Sequence, residues 1–246
     1  MGEAKRRRQH GKPSSLSVRQ KRRQWIMRGA LIVVIALVIG TVLWVTDPER
    51  VPEDRLPVAG DADPFPREAD QYGIRIGDPD APVVVREFAD YQCPACAQFS
   101  EVHERLKEEY IEPGHVRFVF FDLPLRQHAN AIPAAEAARC ANDQRQWEEM
   151  HRLLFDRQSR WSNTDDPAIT FTDYAVELGM DERRFRRCMS TQFHREAVED
   201  SRELAQRLRV TSTPTVFVDN IRLTRNNWTQ LRGVIERELQ DQGAGR

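Results

Sequence analysis

Two cysteines separated by two residues, Cys93 and Cys96, are the side chains of this 246-residue chain best suited to chemistry. A Cys-x-x-Cys pair can form a disulfide and exchange it with other thiols. The pair lies where a predicted strand ends and a predicted helix begins. Cys93 is then at a helix N-terminus, where unpaired N–H groups and the helix dipole stabilise a thiolate. Cys96 begins the apolar face of that helix, which predicts a buried thiol that resolves the exchange.

Two other interpretations of the pair are less favoured. A zinc site needs two more ligands at short spacing, whereas the remaining cysteines, Cys140 and Cys188, lie 48 positions apart. A purely structural bridge between Cys93 and Cys96 would close so short a loop that it would stabilise little. We therefore expect a redox-active disulfide, with no metal and no separate cofactor.

The elements around the pair follow from hydrophobic patterning. Residues 81–89 form a β-branched and aromatic run typical of a buried strand, and a second run covers Val116–Phe121. Between them, apolar residues recur at three- and four-residue steps from Cys96 to Tyr110, which predicts a helix. Strands joined through one helix pair in parallel, with a right-handed crossover.

The C-terminal half combines a helical stretch with a final hairpin. The apolar period is helical over about residues 126–208. Residues 215–218 and 221–223 then flank a short Asp-Asn turn, and residues 228–239 predict a closing helix. The predicted fold class is α/β, with the order βαβ, an inserted helical subdomain, then ββα. The six histidines are expected at the surface or at helix caps.

Three segments resemble one known family. Val85–Cys96 is similar to the active-site segment of the DsbA-like thiol:disulfide oxidoreductases, Ala134–Cys140 to the entry into their helical insertion, and Val210–Val218 to their cis-proline loop. The resemblance covers about residues 73–239. It implies a thioredoxin fold with a helical insertion.

The resemblance also implies roles inside the Cys-x-x-Cys motif. Cys93 corresponds to the nucleophilic sulfur and Cys96 to its resolving partner, with Pro94 and Ala95 between them. Many strongly oxidising relatives have a histidine at the position of Ala95. The resemblance therefore implies that the Cys93 thiolate lacks one stabilising group, and that the cysteine pair is less oxidising than in those relatives.

Three residues outside the motif complete the implied site. The resemblance implies a cis Thr213–Pro214 bond beside the cysteines, with the Thr213 backbone pairing with a substrate peptide. A trans proline that starts the next strand is the alternative. Glu87 matches the buried acid of the family, whose raised pKa allows proton exchange with Cys96. A solvent-exposed Glu87, with Asp90 as the nearby acid, is the other interpretation.

An uncharged stretch of seventeen residues, Gly29–Val45, predicts a transmembrane signal anchor. Trp25 lies just before it and Trp44 near its end, about 28 Å apart on a helix, which suits the two membrane interfaces. Residues 1–28 carry ten basic side chains and one acidic side chain, and acids follow the stretch. The N-terminus is therefore predicted to be cytoplasmic and the rest exported. No small-residue cleavage site follows the stretch in the sequence, which argues against a cleaved signal peptide.

These features divide the chain into four predicted parts. They are a basic cytoplasmic tail that contacts anionic lipid (1–24), a transmembrane helix (25–46), a linker rich in proline and acids (47–71), and the redox domain (72–242). Residues 29–246 hold 27 basic and 37 acidic side chains. An acidic body repels phosphate, so nucleic acid is not an expected partner.

Export also bears on Cys140 and Cys188, which fall on predicted helices. Disulfides persist outside the cytoplasm, and a bridge across 48 positions would contribute about 4 kcal/mol by loop entropy. The alternative is two separate buried thiols that pack as small apolar groups.

The sequence thus predicts a membrane-tethered, periplasmic or extracellular thiol:disulfide oxidoreductase that forms disulfides in exported proteins. The resemblance implies a quinone-linked membrane partner that reoxidises it. Two alternatives stay open: a reductase or isomerase of the same fold, and a non-enzymatic peptide-binding chaperone module in which the cysteines only brace the fold.

Overall fold

The structure, a computed structural model, describes residues 15–45, 55–60 and 64–244. The chain divides into two compact units, Met1–Arg50 and Val51–Arg246. In the first unit, residues Ser15–Val45 form one helix, α1. Within the residues whose side chains are described, no helix combines the length and the apolar character needed to cross a bilayer. Residues 1–14 of the predicted cytoplasmic tail and residues 47–54 and 61–63 of the predicted linker lie outside the described residues.

The second unit is built on a five-stranded sheet. Its strands are β1 (Ile74–Ile76), β2 (Val83–Ala89), β3 (Val116–Asp122), β4 (Thr215–Val218) and β5 (Ile221–Arg222). Their order across the sheet is β1-β3-β2-β4-β5. The predicted parallel pairing of β2 with β3 is confirmed, as is the hairpin of β4 with β5. The sequence did not predict β1, a three-residue edge strand antiparallel to β3, because three residues are too few to show a period.

The helix after β2 carries the cysteine pair. Helix α2 covers Pro94–Leu106, with Cys93 at its N-cap and Pro94 in its first turn, where proline is tolerated because its missing N–H has no partner there anyway. Its buried face includes Cys96, Phe99 and Leu106, which confirms the predicted apolar stripe. A π turn, Lys107–Ile111, prolongs the helix, so the predicted stripe up to Tyr110 is continuous.

The inserted subdomain contains six helices. They are α3 (Ala131–Asn142), α4 (Trp147–Asp156), α5 (Gln158–Trp161), α6 (Ala168–Glu177), α7 (Glu182–Ser190) and α8 (Arg195–Arg207), and the closing helix α9 covers Trp228–Ala244. The helical insertion and the final ββα order are therefore as predicted.

The domain begins earlier than the predicted start at Tyr72. Phe65 is buried against Phe88 and Phe121, with ring centroids 6.3 Å and 6.1 Å away. Leu56 is also buried, and it contacts α9 where a Cβ on Gly233 would come within 2.9 Å of a Leu56 methyl. The part of 47–71 that can act as a linker is therefore shorter than its composition suggests, because a few apolar residues are enough to dock it.

Two histidines contradict the expectation of surface or cap positions. His103 on α2 and His151 on α4 are 2% and 1% exposed, with ring centroids 5.0 Å apart. Burial lowers the pKa of His103 to about 4 and holds the pKa of His151 well below its ordinary value. Both rings are therefore neutral and pack as aromatic groups, and the Tyr91 hydroxyl bonds His151 Nδ1 at 3.0 Å.

Candidate active site

Cys93 lies at the N-terminus of α2, as predicted. Its carbonyl oxygen accepts hydrogen bonds from the N–H groups of Cys96 and Ala97, both at 3.1 Å, and these close the first turn of the helix. The side chains of Pro94 and Ala95 are exposed, while Cys93 is only 7% exposed. The motif therefore forms a small surface turn with one sulfur at its edge.

The environment of Cys93 favours its thiolate. The Cys96 thiol donates to its sulfur, and this bond is the main reason that the pKa of Cys93 falls to about 5. Burial opposes the shift, whereas Thr213 and the N–H groups of Cys96 and Ala95 reinforce it. Both cysteines are free thiols in this structure. At neutral pH Cys93 is accordingly an anion in the reduced protein.

Cys96 has the opposite character. It is fully buried, and the Asp90 N–H donates to its sulfur at 3.5 Å. Burial raises the pKa of Cys96 far above its ordinary value, and the proton shared with Cys93 and the nearby Glu87 carboxyl add to the effect. One sulfur is therefore a thiolate at 7% exposure and the other a fully buried thiol, and thiol exchange requires sulfurs of these two kinds.

Glu87 is buried in the sheet beneath the pair. It lies on β2 two residues after Val85 and is 2% exposed, so the alternative of a solvent-exposed glutamate is wrong. Burial alone raises the pKa of Glu87 to about 8, so the carboxyl is neutral in the folded protein at pH 7. A buried acid whose pKa is near the working pH is suited to exchange a proton with Cys96.

Asp90, the alternative acid, is also buried but has its acceptor positions occupied. Its carboxylate accepts hydrogen bonds from the N–H of Gln92 at 2.7 Å and from the N–H of Leu125 at 2.8 Å, and it contacts His128 Nδ1 at 2.8 Å. Asp90 thus holds the turn before Cys93 in place.

The burial of Glu87 predicts a pH-dependent gain in stability on replacement by glutamine. Below about pH 4.5 the carboxyl is protonated in both folded and unfolded chains, so Glu87 costs nothing. As the pH rises toward 8, the unfolded chain releases this proton while the folded one keeps it, and the folded state loses stability. Glu87→Gln is expected to raise the free energy of unfolding by about 3 kcal/mol at pH 7 and by almost nothing at pH 4.

Urea unfolding of the reduced protein at several pH values measures this difference. Glu101→Gln, at an exposed position on α2, is the matched control and is expected to show no such trend. A Glu87→Gln effect that stays constant between pH 4 and pH 7 would contradict the assignment of a buried neutral carboxyl.

The loop before β4 brings a proline next to the cysteines. The Thr213–Pro214 bond is cis, as the resemblance implied, so the trans alternative is wrong. The Cys93 thiol lies 3.7 Å from the Thr213 carbonyl oxygen. Both loop residues are partly exposed, and β4 starts immediately after them. The Thr213 carbonyl therefore lies beside the redox sulfur, in a loop that is partly exposed.

Sequence reasoning missed three amide side chains around the motif. Gln158 Nε2 donates to the carbonyl oxygens of Tyr91 and Cys93 at 2.8 Å and 3.1 Å. Gln92 donates to the Ser162 carbonyl at 2.7 Å. Asn130 donates from its backbone to Gln92 Oε1 at 2.8 Å. Glutamine and asparagine have no distinctive pattern in a sequence, so only the fold shows that they meet.

Cys140 on α3 and Cys188 on α7 form a disulfide, which decides against two separate thiols. His194 lies close enough to both sulfurs for the three residues to resemble a metal cluster. Sulfurs joined in a disulfide are not thiolate ligands, so the group does not have the chemistry of a zinc site. The bridge links two helices of the insertion.

The sheet order, the inserted helices and this pair of unequal thiols define a domain of the thioredoxin-fold class with a Cys-x-x-Cys site suited to thiol–disulfide exchange. Comparison with known families agrees, since the model of the family described as Thioredoxin matches residues 69–237. The chain belongs to the thioredoxin family.

Curated relatives are of two kinds. The Na(+)/H(+) antiporter NhaA 3 of Salinispora tropica is 34% identical over 158 residues, which is 64% of this chain but 23% of the antiporter. The probable disulfide bond formation protein D of Bacillus cereus is 28% identical over 169 residues, 67% of this chain and 77% of that protein. The chain thus spans about a quarter of the antiporter relatives and most of the disulfide-forming ones.

Solved structures share the fold. Oxidised BdbD from Bacillus subtilis superposes with a TM-score of 0.64 at 24% identity, covering 76% of this chain and 100% of that one. Wolbachia pipientis alpha-DsbA1 gives a TM-score of 0.63 at 21% identity, covering 74% and 96%. At these identities the likeness concerns the fold alone.

Proposed function

We propose that the protein is a membrane-tethered oxidase that forms disulfides in exported proteins. The observation that carries this proposal is the acidic Cys93 thiol at the mouth of α2, facing the cis-proline loop, with Cys96 buried behind it. A low pKa makes Cys93 a good leaving group and stabilises the reduced form, and both effects favour giving a disulfide away.

The reaction starts from the oxidised Cys93–Cys96 pair. A substrate thiolate attacks the Cys93 sulfur and forms a mixed disulfide, and Cys96 leaves as a thiolate. We assign the proton that it then takes up to Glu87, whose burial and raised pKa support this role. A second substrate thiolate then attacks the substrate sulfur of the mixed disulfide, and Cys93 leaves as a thiolate. The substrate loses two electrons to the pair, and its disulfide forms.

The cis-proline loop supports a peptide substrate. Thr213 presents its backbone beside the reacting sulfur, and an extended peptide that pairs with this backbone would bring its cysteine to Cys93. Pro94 and Ala95 are exposed on the other side of the sulfur. These exposed residues and the cis-proline loop form the surface that a protein thiol would approach.

The tether, its lipid contact and the reoxidising partner belong to the same proposal. Support for the tether comes from the uncharged stretch Gly29–Val45 with its basic N-terminal flank, which favours anionic lipid on the cytoplasmic side. Each turnover leaves two electrons on the pair, so an acceptor is required. The DsbA-like resemblance makes a quinone-linked membrane protein the acceptor of choice, and a tether would keep the domain near it.

The reduction potential of the pair tests the direction of the chemistry. The pKa of about 5 for Cys93 lies between the values of about 7 and about 3.5 typical of thioredoxin and DsbA. We therefore expect a potential near −200 mV, between about −270 mV and about −120 mV. Equilibration with glutathione buffers measures it, and Cys96→Ser, which cannot form the pair, gives the baseline. A potential at or below that of thioredoxin would assign the protein to the reductases instead.

A further inference from the structure

The helical insertion contacts the redox motif through an amide side chain. Gln158, the first residue of α5, donates from Nε2 to the carbonyl oxygens of Tyr91 at 2.8 Å and Cys93 at 3.1 Å. These two carbonyls belong to the turn that leads into α2. The Cys93 carbonyl also accepts the N–H groups of Cys96 and Ala97, so Gln158 bonds the same oxygen that closes the first turn of α2.

The motif makes a return contact with the same part of the insertion. Gln92 donates to the Ser162 carbonyl at 2.7 Å, one residue beyond the end of α5. Asn130 bonds Gln92 Oε1 through its N–H and donates from its side chain to the carbonyls of Trp161 and Thr164. The turn before Cys93 is therefore tied to α5 at both ends of that helix.

Helix α5 is only four residues long, and hydrogen bonds fix its position at both ends. Arg157, directly before it, makes a two-pronged ion pair with Glu177 on α6, with both N–O distances at 2.6 Å. Trp161, at its other end, is fully buried and donates from Nε1 to the Leu154 carbonyl at 2.9 Å. The contacts of Arg157 and Trp161 thus fix the helix that carries Gln158, independently of the contact between Gln158 and the motif.

We propose that Gln158 is a positioning residue for the redox pair: its amide holds the turn 91–93 so that the first N–H groups of α2 stay aimed at the Cys93 sulfur. The inference rests on the proposed thiol-exchange function, which it deepens. Gln158 does not touch the reacting sulfur in this arrangement. It acts through the backbone, whose N–H groups stabilise the thiolate only when they point at it.

Two variants of the full-length chain separate the loss of the Gln158 hydrogen bonds from a change in side-chain volume. Gln158→Met keeps the length and volume of the side chain but removes the donor. Gln158→Asn keeps the amide but is shorter by one carbon, about 1.5 Å, and loses reach to both carbonyls. The matched control is Gln144→Met, because Gln144 also bridges two segments, bonding both the N–H and the carbonyl of Asp181 far from the motif.

The readout is the pH profile of Cys93 alkylation by iodoacetamide in the reduced protein. A hydrogen bond of ordinary net strength corresponds to about a fivefold change in an equilibrium constant. At a pH near the wild-type midpoint, we therefore expect both Gln158 variants to alkylate several times more slowly, with the midpoint of the profile displaced upward. Gln144→Met is expected to follow the wild-type profile, and circular dichroism reports whether each variant is folded.

Folded Gln158 variants with the wild-type alkylation profile would overturn the inference. Failure of both variants to fold while Gln144→Met folds would also overturn it, since Gln158 would then serve stability rather than positioning. The proposed function fails separately: a wild-type Cys93 that titrates as an ordinary thiol would remove it. An acidic wild-type Cys93 with insensitive Gln158 variants would remove only the positioning role.

Discussion

Cys93→Ser is expected to abolish dithiol oxidation completely, because a serine hydroxyl can neither form the disulfide that a substrate attacks nor leave as a thiolate. The measurement is the rate at which the oxidised protein converts a two-cysteine peptide to its cyclic disulfide. The variant is expected to match the rate without protein. The two side chains differ by one atom, so the fold should be retained.

Cys96→Ser is the informative partner of this experiment. It keeps the Cys93 thiolate but removes the resolving sulfur, so a mixed disulfide with an activated substrate is expected to persist rather than turn over. Non-reducing electrophoresis and mass spectrometry detect that adduct. Oxidase activity in Cys93→Ser, or a trapped adduct on a different cysteine, would show that the reacting sulfur has been misidentified.

Removal of the second disulfide is expected to cause the largest loss of stability. Cys140 and Cys188 are 48 positions apart, and releasing the bridge returns about 4 kcal/mol of chain entropy to the unfolded state. Cys140→Ala with Cys188→Ala is therefore expected to lower the free energy of unfolding by about that amount, and Cys140 is deeply buried, so a small cavity adds to the loss.

Urea unfolding of the oxidised protein measures this effect, and Cys93→Ser with Cys96→Ser is the matched control. That pair closes a much shorter loop, so its removal should cost considerably less. The domain is expected to keep its fold in both cases. Equal losses in the two double variants would show that the Cys140–Cys188 bridge is not the main covalent support of the insertion.

The order of elements was within reach of the sequence because it depends on local periodicity. The strand Val83–Ala89, the helix that starts after Cys93 and the final hairpin each produce a pattern that repeats within a few residues. Glu87 could also be placed inside the sheet, because its side chain follows the same alternation as Val85. Short elements such as β1 contain too few repeats to show a pattern.

Local periodicity could not predict that part of the segment 47–71 packs against the redox domain. Residues 47–71 have the composition of a linker, yet Leu56 and Phe65 are buried in the domain. Likewise, His103 and His151 were expected at the surface or at helix caps, but each falls on the buried face of its helix. A residue's type gives its tendency, whereas its burial depends on which distant surface covers it.

The sequence by itself determined which sulfurs can react and that a helix would begin between them, since capping and hydrophobic period are properties of neighbouring residues. Only the tertiary structure decided what surrounds Cys93: the Thr213 carbonyl from 120 residues away and the Gln158 amide from 65 residues away. Contacts between residues so far apart in the chain depend on how the sheet and the insertion pack, and no local pattern records that packing.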